Sequence, residues 1–341
     1  MSESTVSSVL PKSLYKSAGI IAGICILILT LGVSIVLGQT KISFAGAVDS
    51  FFHYDESSNE HIIVQTTRVP RAFIAAAIGA SLAIAGAVMQ ALTRNPMASP
   101  GILGVNAGAA CFVVAAVTVF SVSSMTHLML FAFAGAAIAS AAVYVLGSLG
   151  QDGLTPLKIV LAGAAMTALF SSFTQGMLVI NEKGLEEVLF WLTGSVAGRS
   201  MEMLRLAVPY MVVCWVGAFI LARHINVLMM GEDTAKGLGQ RTAVVKILCG
   251  IVFVVLAGSS VAVAGPIGFI GLVVPHIARY FAGNDFRWMV PYCALIGAVL
   301  LLLADIAARF IIMPEELPVG VMTAVIGTPF FIYIARKGFA K

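Results

Sequence analysis

Charged side chains are scarce in this sequence. Asp, Glu, Lys and Arg supply 11% of its 341 residues, against about 25% in soluble globular chains, while 60% are apolar. A surface of that composition cannot face water throughout, which excludes an ordinary soluble enzyme. The formal net charge of +4 is no signal for a nucleic-acid partner; its meaning lies in where the cations sit. A Gly-x-x-x-x-Gly-Lys-Ser/Thr loop is also missing, so the chain lacks the usual means of cradling nucleotide phosphates. The five cysteines, Cys25, Cys111, Cys214, Cys249 and Cys293, stand singly in apolar runs. That spacing suits small packing residues rather than a metal site. Met89, Met97 and the other scattered methionines read as core residues, and no cofactor or metal is expected.

What is present is a series of long charge-free runs. Ala72 to Thr93, Asn95 to Gln151 and Ile247 to Ala278 contain no Asp, Glu, Lys or Arg. A helix of about 20 apolar residues spans the roughly 30 Å of bilayer hydrocarbon. The first run therefore fits one crossing, and the second fits two joined by a tight turn near 121–127. Read this way, the chain makes about ten crossings, at 18–38, 62–91, 100–120, 127–148, 157–180, 204–223, 243–264, 268–281, 288–309 and 318–336. An even number returns both termini to one side. Lys12 and Lys16 before the first crossing, with Arg336, Lys337 and Lys341 after the last, assign that side to the cytoplasm. Arg94, Lys158, Arg223, Lys236, Arg241, Lys246 and Arg287 fall there too; Arg68, Arg71, Lys183, Arg199, Arg205 and Arg309 fall outside and require a reason. Ala18 to Leu37 is longer than a signal-peptide core and no small-residue cleavage site follows it, so the first crossing reads as a retained helix. The expectation is an all-α polytopic protein of the plasma or inner membrane, one transmembrane domain over residues 1–341.

The run from Ile247 to Ala278 is longer than one crossing needs and short for two, and its second part holds Gly265, Pro266, Gly268, Gly271 and Pro275. A short, broken helix fits. Broken helices at membrane depth persist only where protein or a water-filled cavity satisfies the freed backbone groups, so this segment is expected to line an internal interface or a pathway. Ser81-Leu-Ala-Ile-Ala-Gly86 resembles Ser260-Val-Ala-Val-Ala-Gly265, and the two lie on crossings of opposite direction, the pattern of an inverted repeat.

The charged residues within or beside apolar runs carry the remaining candidates. Arg68, Arg71 and Arg309 either snorkel to headgroups or form an anion-binding socket on the outer face. Asp305, the one carboxylate inside a strongly apolar run, suits a proton relay; Arg309, one turn on, suits a structural ion pair instead. His276 stands alone beside Pro275. The longest inner loop, about 225–242, carries Glu232 and Asp233 where they favour a helix N-terminus, then Gly237 and Gly239 that permit a tight break. It reads as a solvated linker or as a knob for another protein.

Arg68-Val-Pro-Arg71, Gly86-Ala-Val-Met-Gln90-Ala-Leu-Thr-Arg-Asn95-Pro96-Met-Ala-Ser-Pro100-Gly-Ile-Leu-Gly104, Gly268-Phe-Ile-Gly-Leu-Val-Val-Pro275-His276-Ile-Ala-Arg279, Ala304-Asp305 and Glu316-Leu-Pro-Val-Gly320 together resemble the permease subunits of ABC importers for iron-siderophores, haem and vitamin B12, the FecCD-type permeases. The resemblance runs through essentially the whole chain. It implies a homodimer or heterodimer of ten-helix subunits around a central pathway, two cytoplasmic ATPase subunits and an extracytoplasmic substrate-binding protein. It implies further that Arg68, Arg71 and Arg309 meet glutamates of that binding protein. Gly231, Glu232, Ala235, Gly237, Leu238 and Gly239 fall at the ATPase-coupling helix, and Gln90, Asn95, Pro96, Pro100, Gly268, Pro275 and His276 at the pathway or its gates. The cargo so implied is a ferric siderophore or related chelate, moved by alternating access without covalent chemistry. A secondary transporter coupled to protons or sodium, and a membrane-embedded sensor subunit, are the other classes compatible with the composition.

Overall fold

The computed structural model describes residues 12–40, 42–149, 155–180 and 191–338, and these contain helices and no strand. Helix α1 (Lys12–Val36) is followed by the short α2 (Phe44–Phe52) and α3 (Asn59–Ile63); a single π turn at Val64–Arg68 then runs into α4 (Val69–Thr93). A 3₁₀ turn at Pro100–Leu103 leads to α5 (Val105–Thr118), α6 (Met125–Ser148) and α7 (Pro156–Ile180). Next come α8 (Met201–Met229), the short α9 (Glu232–Gly237) and α10 (Thr242–Ala264). The chain closes with α11 (Ile270–Ala282), α12 (Phe286–Ala308) and α13 (Val319–Gly338). Every apolar run read as a crossing falls on one of these helices. Among the described residues, 7 helices have the length and apolarity to cross a bilayer, and Val105–Thr118 and Ile270–Ala282 are shorter apolar helices. The protein is therefore a multi-pass membrane protein.

Helix α4 is the axis of the bundle. Its apolar window is 83% buried, whereas that of α1 is 11% buried and faces outward. Helices α8, α10, α11 and α12 all pack on α4. Lipid tails are as apolar as leucine, so helix association in a membrane draws on close packing rather than on exclusion of water. The sequence provides this with glycine at the crossings: a Cβ on Gly79 would stand 2.2 Å from the Gly297 carbonyl oxygen, and one on Gly86 1.8 Å from that of Gly271. Backbones of α4 thus touch those of α12 and α11 directly.

The break before α11 is real and its freed groups are met. Gly265 ends α10 at φ 75° and Phe269 takes φ 66° before α11 begins. The carbonyl of Ala264 accepts from the Ser195 amide at 2.8 Å. At the other end of the bundle, cations close helix C-termini, as the exposed carbonyls there favour. Lys16 Nζ donates to the Ala282 carbonyl at 2.6 Å and Arg94 to that of Leu228 at 3.0 Å. Asp285 caps α12 through the Arg287 amide and accepts from Asn226 Nδ2 at 2.7 Å, joining the ends of α8 and α12. Its hydrogen bond from the Arg287 side chain, aided by Asn226 and the cap amide, holds its carboxyl down to about 2.

Gly79→Ala is expected to lower the thermal melting temperature of the detergent-purified protein by several degrees, since the added methyl meets backbone that cannot withdraw. Gly250→Ala, where nothing lies within 4 Å, is expected to leave it unchanged or slightly raised. Equal melting of both variants would remove the close-packing account.

Candidate functional site

The three outer arginines converge, and they turn inward. Arg68, Arg71 and Arg309 are 4%, 7% and 2% exposed. Arg71 lies in the first turn of α4 and Arg309 closes α12, one turn after Asp305. Arg71 grips the Asp305 carboxylate through Nη2 at 2.8 Å and Nε at 3.0 Å, and reaches Glu316 Oε2 through Nη1 at 2.5 Å. Arg309 Nη2 approaches Asp305 Oδ2 at 2.5 Å. Its Nη1 donates to the carbonyls of Ser34 and Leu37, both at 2.7 Å. Arg68 donates to the carbonyls of Ile35, Val36 and Thr40. The open carbonyls at the end of α1 are thus taken by two guanidiniums, and planar fork geometry is what lets each serve several acceptors at once.

In this chain the three arginines are buried, and their donors engage its own carboxylates and carbonyls. Three guanidiniums against the two carboxylates of Asp305 and Glu316 leave a positive excess, and the carbonyl ends of α1 accommodate it. The Asp305–Arg309 pair expected from its i, i+4 spacing is present. Arg71 and Glu316 extend it into a chain of contacts linking α1, α4, α12 and the segment before α13. Sequence reasoning missed Ser34, whose carbonyl and hydroxyl both accept from Arg309, and gave Glu316 no partner although it lay in a noted motif.

A second set of candidate residues meets where α4 crosses α11. Pro275, inside α11, has no amide to donate to Gly271. Gln90 is 2% exposed and lies one turn beyond Gly86. It points Nε2 at the carbonyls of Gly271 (3.5 Å) and Leu272 (3.4 Å), while its Oε1 accepts from Arg279 at 3.3 Å. The half-buried His276 places Nδ1 3.0 Å from the Leu272 carbonyl. Pro100 packs against Gly271. Asn95 and the exposed Pro96 instead form the turn after α4, where Asn95 Oδ1 accepts from the Met97 amide at 2.9 Å; Gly268 is exposed and stands apart. Among the described residues no cluster of His, Cys, Asp or Glu is arranged to hold a metal.

The third set forms the short helix and glycine turn expected in the loop at about 225–242. Gly231, at φ 129°, opens α9, and Ala235 buries its underside completely. The helix ends in a Schellman motif: the Gln240 amide returns to the Ala235 carbonyl and the Gly239 amide to that of Lys236, both at 2.9 Å. Gly239 takes φ 79°, the left-handed conformation this motif requires, whereas Gly237 is helical with open space beside it. Glu232 braces the helix by accepting from Lys246 at 2.7 Å and pairing with Lys236 at 3.4 Å. The Lys246 hydrogen bond, then Lys236, holds the Glu232 carboxyl below its ordinary range. Because the folded-state value is the lower one, the brace is fully present above the unfolded value of about 4.3 and is lost only as pH falls beneath it. The surface so displayed is mixed: Met230 and Leu238, flanking the helix, are 67% and 65% exposed, with Asp233, Thr234 and Lys236 exposed between them.

Residues 26–337 match the model of the FecCD transport family. The chain belongs to that family. Among its relatives, YfiZ of Bacillus subtilis (strain 168), named for a siderophore transport system permease, is 54% identical over 315 residues, 92% of this chain and 94% of the relative. The ferric enterobactin transport system permease protein FepD of Escherichia coli (strain K12) is 38% identical over 312 residues, 92% of this chain and 93% of FepD. A solved ABC transporter described as of metal-chelate type, in an inward-facing conformation, superposes with a TM-score of 0.83 at 28% identity, covering 94% of this chain and 99% of that one.

For this FecCD chain, Asp305→Ala strands Arg71 and Arg309 without their shared carboxylate. It is expected to destabilise the fold by about 3–5 kcal/mol, the range for removing one partner of a buried pair, read as a large fall in melting temperature and in folded yield. Asp305→Asn is expected to fall between. A variant that folds at wild-type stability yet loses transport would make Asp305 a relay rather than a brace.

Proposed function

We propose that this chain is the transmembrane permease subunit of an ABC importer that takes up a ferric siderophore or a related metal chelate. Alternating access is powered by two cytoplasmic ATPase subunits. The cargo comes from an extracytoplasmic substrate-binding protein, and a second permease subunit, identical or homologous, completes the pathway. Both termini lie in the cytoplasm. The observation that carries this reading is the α9 knob. It is a short helix stiffened at both ends, buried beneath through Ala235 and flanked outside by the exposed Met230 and Leu238, on a chain with no phosphate-cradling loop of its own. Such a helix is suited to seat in a groove on another protein. Its contacts with α8 and α10 provide a route by which movement of an ATPase reaches the bundle. The names of the relatives support iron chelates as cargo.

The α4–α11 crossing suits the pathway or its gates. A carbonyl that Pro275 leaves without its helical donor and that Gln90 meets instead exchanges partners at lower cost than an intact turn. The outer arginines frame the face on which the binding protein docks, with Glu316 as the most exposed member of their cluster. Coupling to protons is less well supported, because Asp305 is taken up as the shared ion-pair partner of two guanidiniums.

A bulky side chain at Gly237 meets nothing in this chain, so Gly237→Trp is expected to insert and fold normally while losing copurification of the ATPase and ATP-driven transport. Normal copurification and transport would overturn the knob assignment. Cysteines at Asn59 and Lys236 test the orientation: the first is expected to react with an impermeant reagent on intact cells and the second only after permeabilisation.

A further inference from the structure

We infer that α2 is an interfacial helix, lying in the outer headgroup layer with its aromatic face inserted among zwitterionic lipids. Phe44, Val48, Phe51 and Phe52 fall at i, i+4, i+7 and i+8, one arc of a helical surface, and are 71%, 39%, 52% and 78% exposed. The opposite side is already occupied: Ala47 and Ser50 are buried, and the Ser50 carbonyl accepts from Gln65 Nε2 at 3.0 Å. Nine residues cannot cross a bilayer. The helix is nonetheless firmly set, with Ser43 Oγ accepting the Gly46 amide at 2.9 Å.

Its surroundings indicate what covers that face. Helix α2 follows within a few residues of the end of α1, whose outward surface of Ile21, Ile28 and Leu29, each at least 64% exposed, is a lipid-facing wall. The aromatic arc therefore continues a surface that already meets lipid. A second apolar stretch flanks the same end of α1: Ile311, Ile312 and Met313 are 56%, 51% and 55% exposed, tied in place by Gln39 donating to the Pro314 carbonyl at 2.7 Å. Charge selects the kind of lipid contact. From residue 41 to 67 the sequence carries Asp49, Asp55, Glu56 and Glu60 against Lys41 as the one Lys or Arg, so the net negative charge opposes attraction to anionic headgroups as the driving force. Insertion of aromatic rings at the interface can drive association instead.

The test uses the full chain in phosphatidylcholine nanodiscs without other subunits, with the exposed Cys25 replaced by serine. Nitroxides are attached in turn at Val48→Cys, Phe52→Cys and, on the neighbouring exposed turn, Ser57→Cys. Collision with oxygen relative to a water-soluble nickel chelate is expected to be about threefold higher at the first two sites than at Ser57→Cys, as for groups at the headgroup boundary. The ratio is expected to stay the same when a third of the lipid is phosphatidylglycerol. A nitroxide at Leu29→Cys, on the lipid-facing side of α1, verifies folding of the background. Ratios equal to that of Ser57→Cys would overturn the inference. So would protection that appears only with anionic lipid, with a substrate-binding protein added, or together with dipolar coupling between two copies of the chain.

Discussion

A carbonyl or guanidinium that leaves water inside a bilayer has to find its partner within the protein, and the outer end of this chain is organised by that requirement. The end of α1 presents carbonyls that no further helical turn can satisfy. Arg309 and Arg68 take them, and in doing so draw the ends of α4 and α12 against α1. Asp305 lies between Arg309 and Arg71 and pairs with both, while Arg68 is answered by carbonyls alone. A hydrocarbon environment makes such a cluster costly when incomplete, because a lone buried charge has no solvent to retreat to.

The same constraint acts differently deeper in the bundle. At the α4–α11 crossing Pro275 leaves the Gly271 carbonyl without a helical donor, and Gln90 reaches it at 3.5 Å and the Leu272 carbonyl at 3.4 Å. The outer cluster is multiply bonded; here the freed carbonyl is met by one long side-chain contact, beside the close backbone approach of Gly86 and Gly271. A transporter needs both kinds of joint, with rigid ends to transmit displacement and a weaker interior contact that has two arrangements of similar free energy. The α9 knob belongs to the first kind, since its Schellman ending and the Glu232–Lys246 pair leave it little freedom of its own.

Much of this was legible in the sequence because hydrophobic runs and their punctuation act locally. The gaps between charges marked each apolar helix, Gly265 and Phe269 fell where the proline- and glycine-rich stretch announced a break, and Glu232 to Gly239 formed the short helix and glycine turn read from residue types alone. What was hidden is long-range. Nothing in the stretch around Arg68 says that its partners are carbonyls some thirty positions earlier. Nor does Gln90 declare a partner 181 residues away. The three arginines were correctly marked as needing a reason, but whether they face inward or outward depends on how α1 packs against α12, which periodicity does not encode. Segment length misled in one respect: the run at 100–120, read as a full crossing, folds into the 14-residue Val105–Thr118 after a 3₁₀ turn, because buried segments can end within surrounding protein.

The central claim is that this chain moves an iron chelate inward at the expense of ATP hydrolysed by a partner. The most direct measurement is accumulation of a radiolabelled ferric siderophore in proteoliposomes containing the permease, its ATPase and the cognate binding protein, with ATP on the ATPase side and all ion gradients dissipated. The account predicts accumulation that requires ATP and the ATPase and persists without a proton or sodium gradient. Accumulation by the permease alone, driven by an imposed pH or sodium gradient and indifferent to ATP, would contradict it.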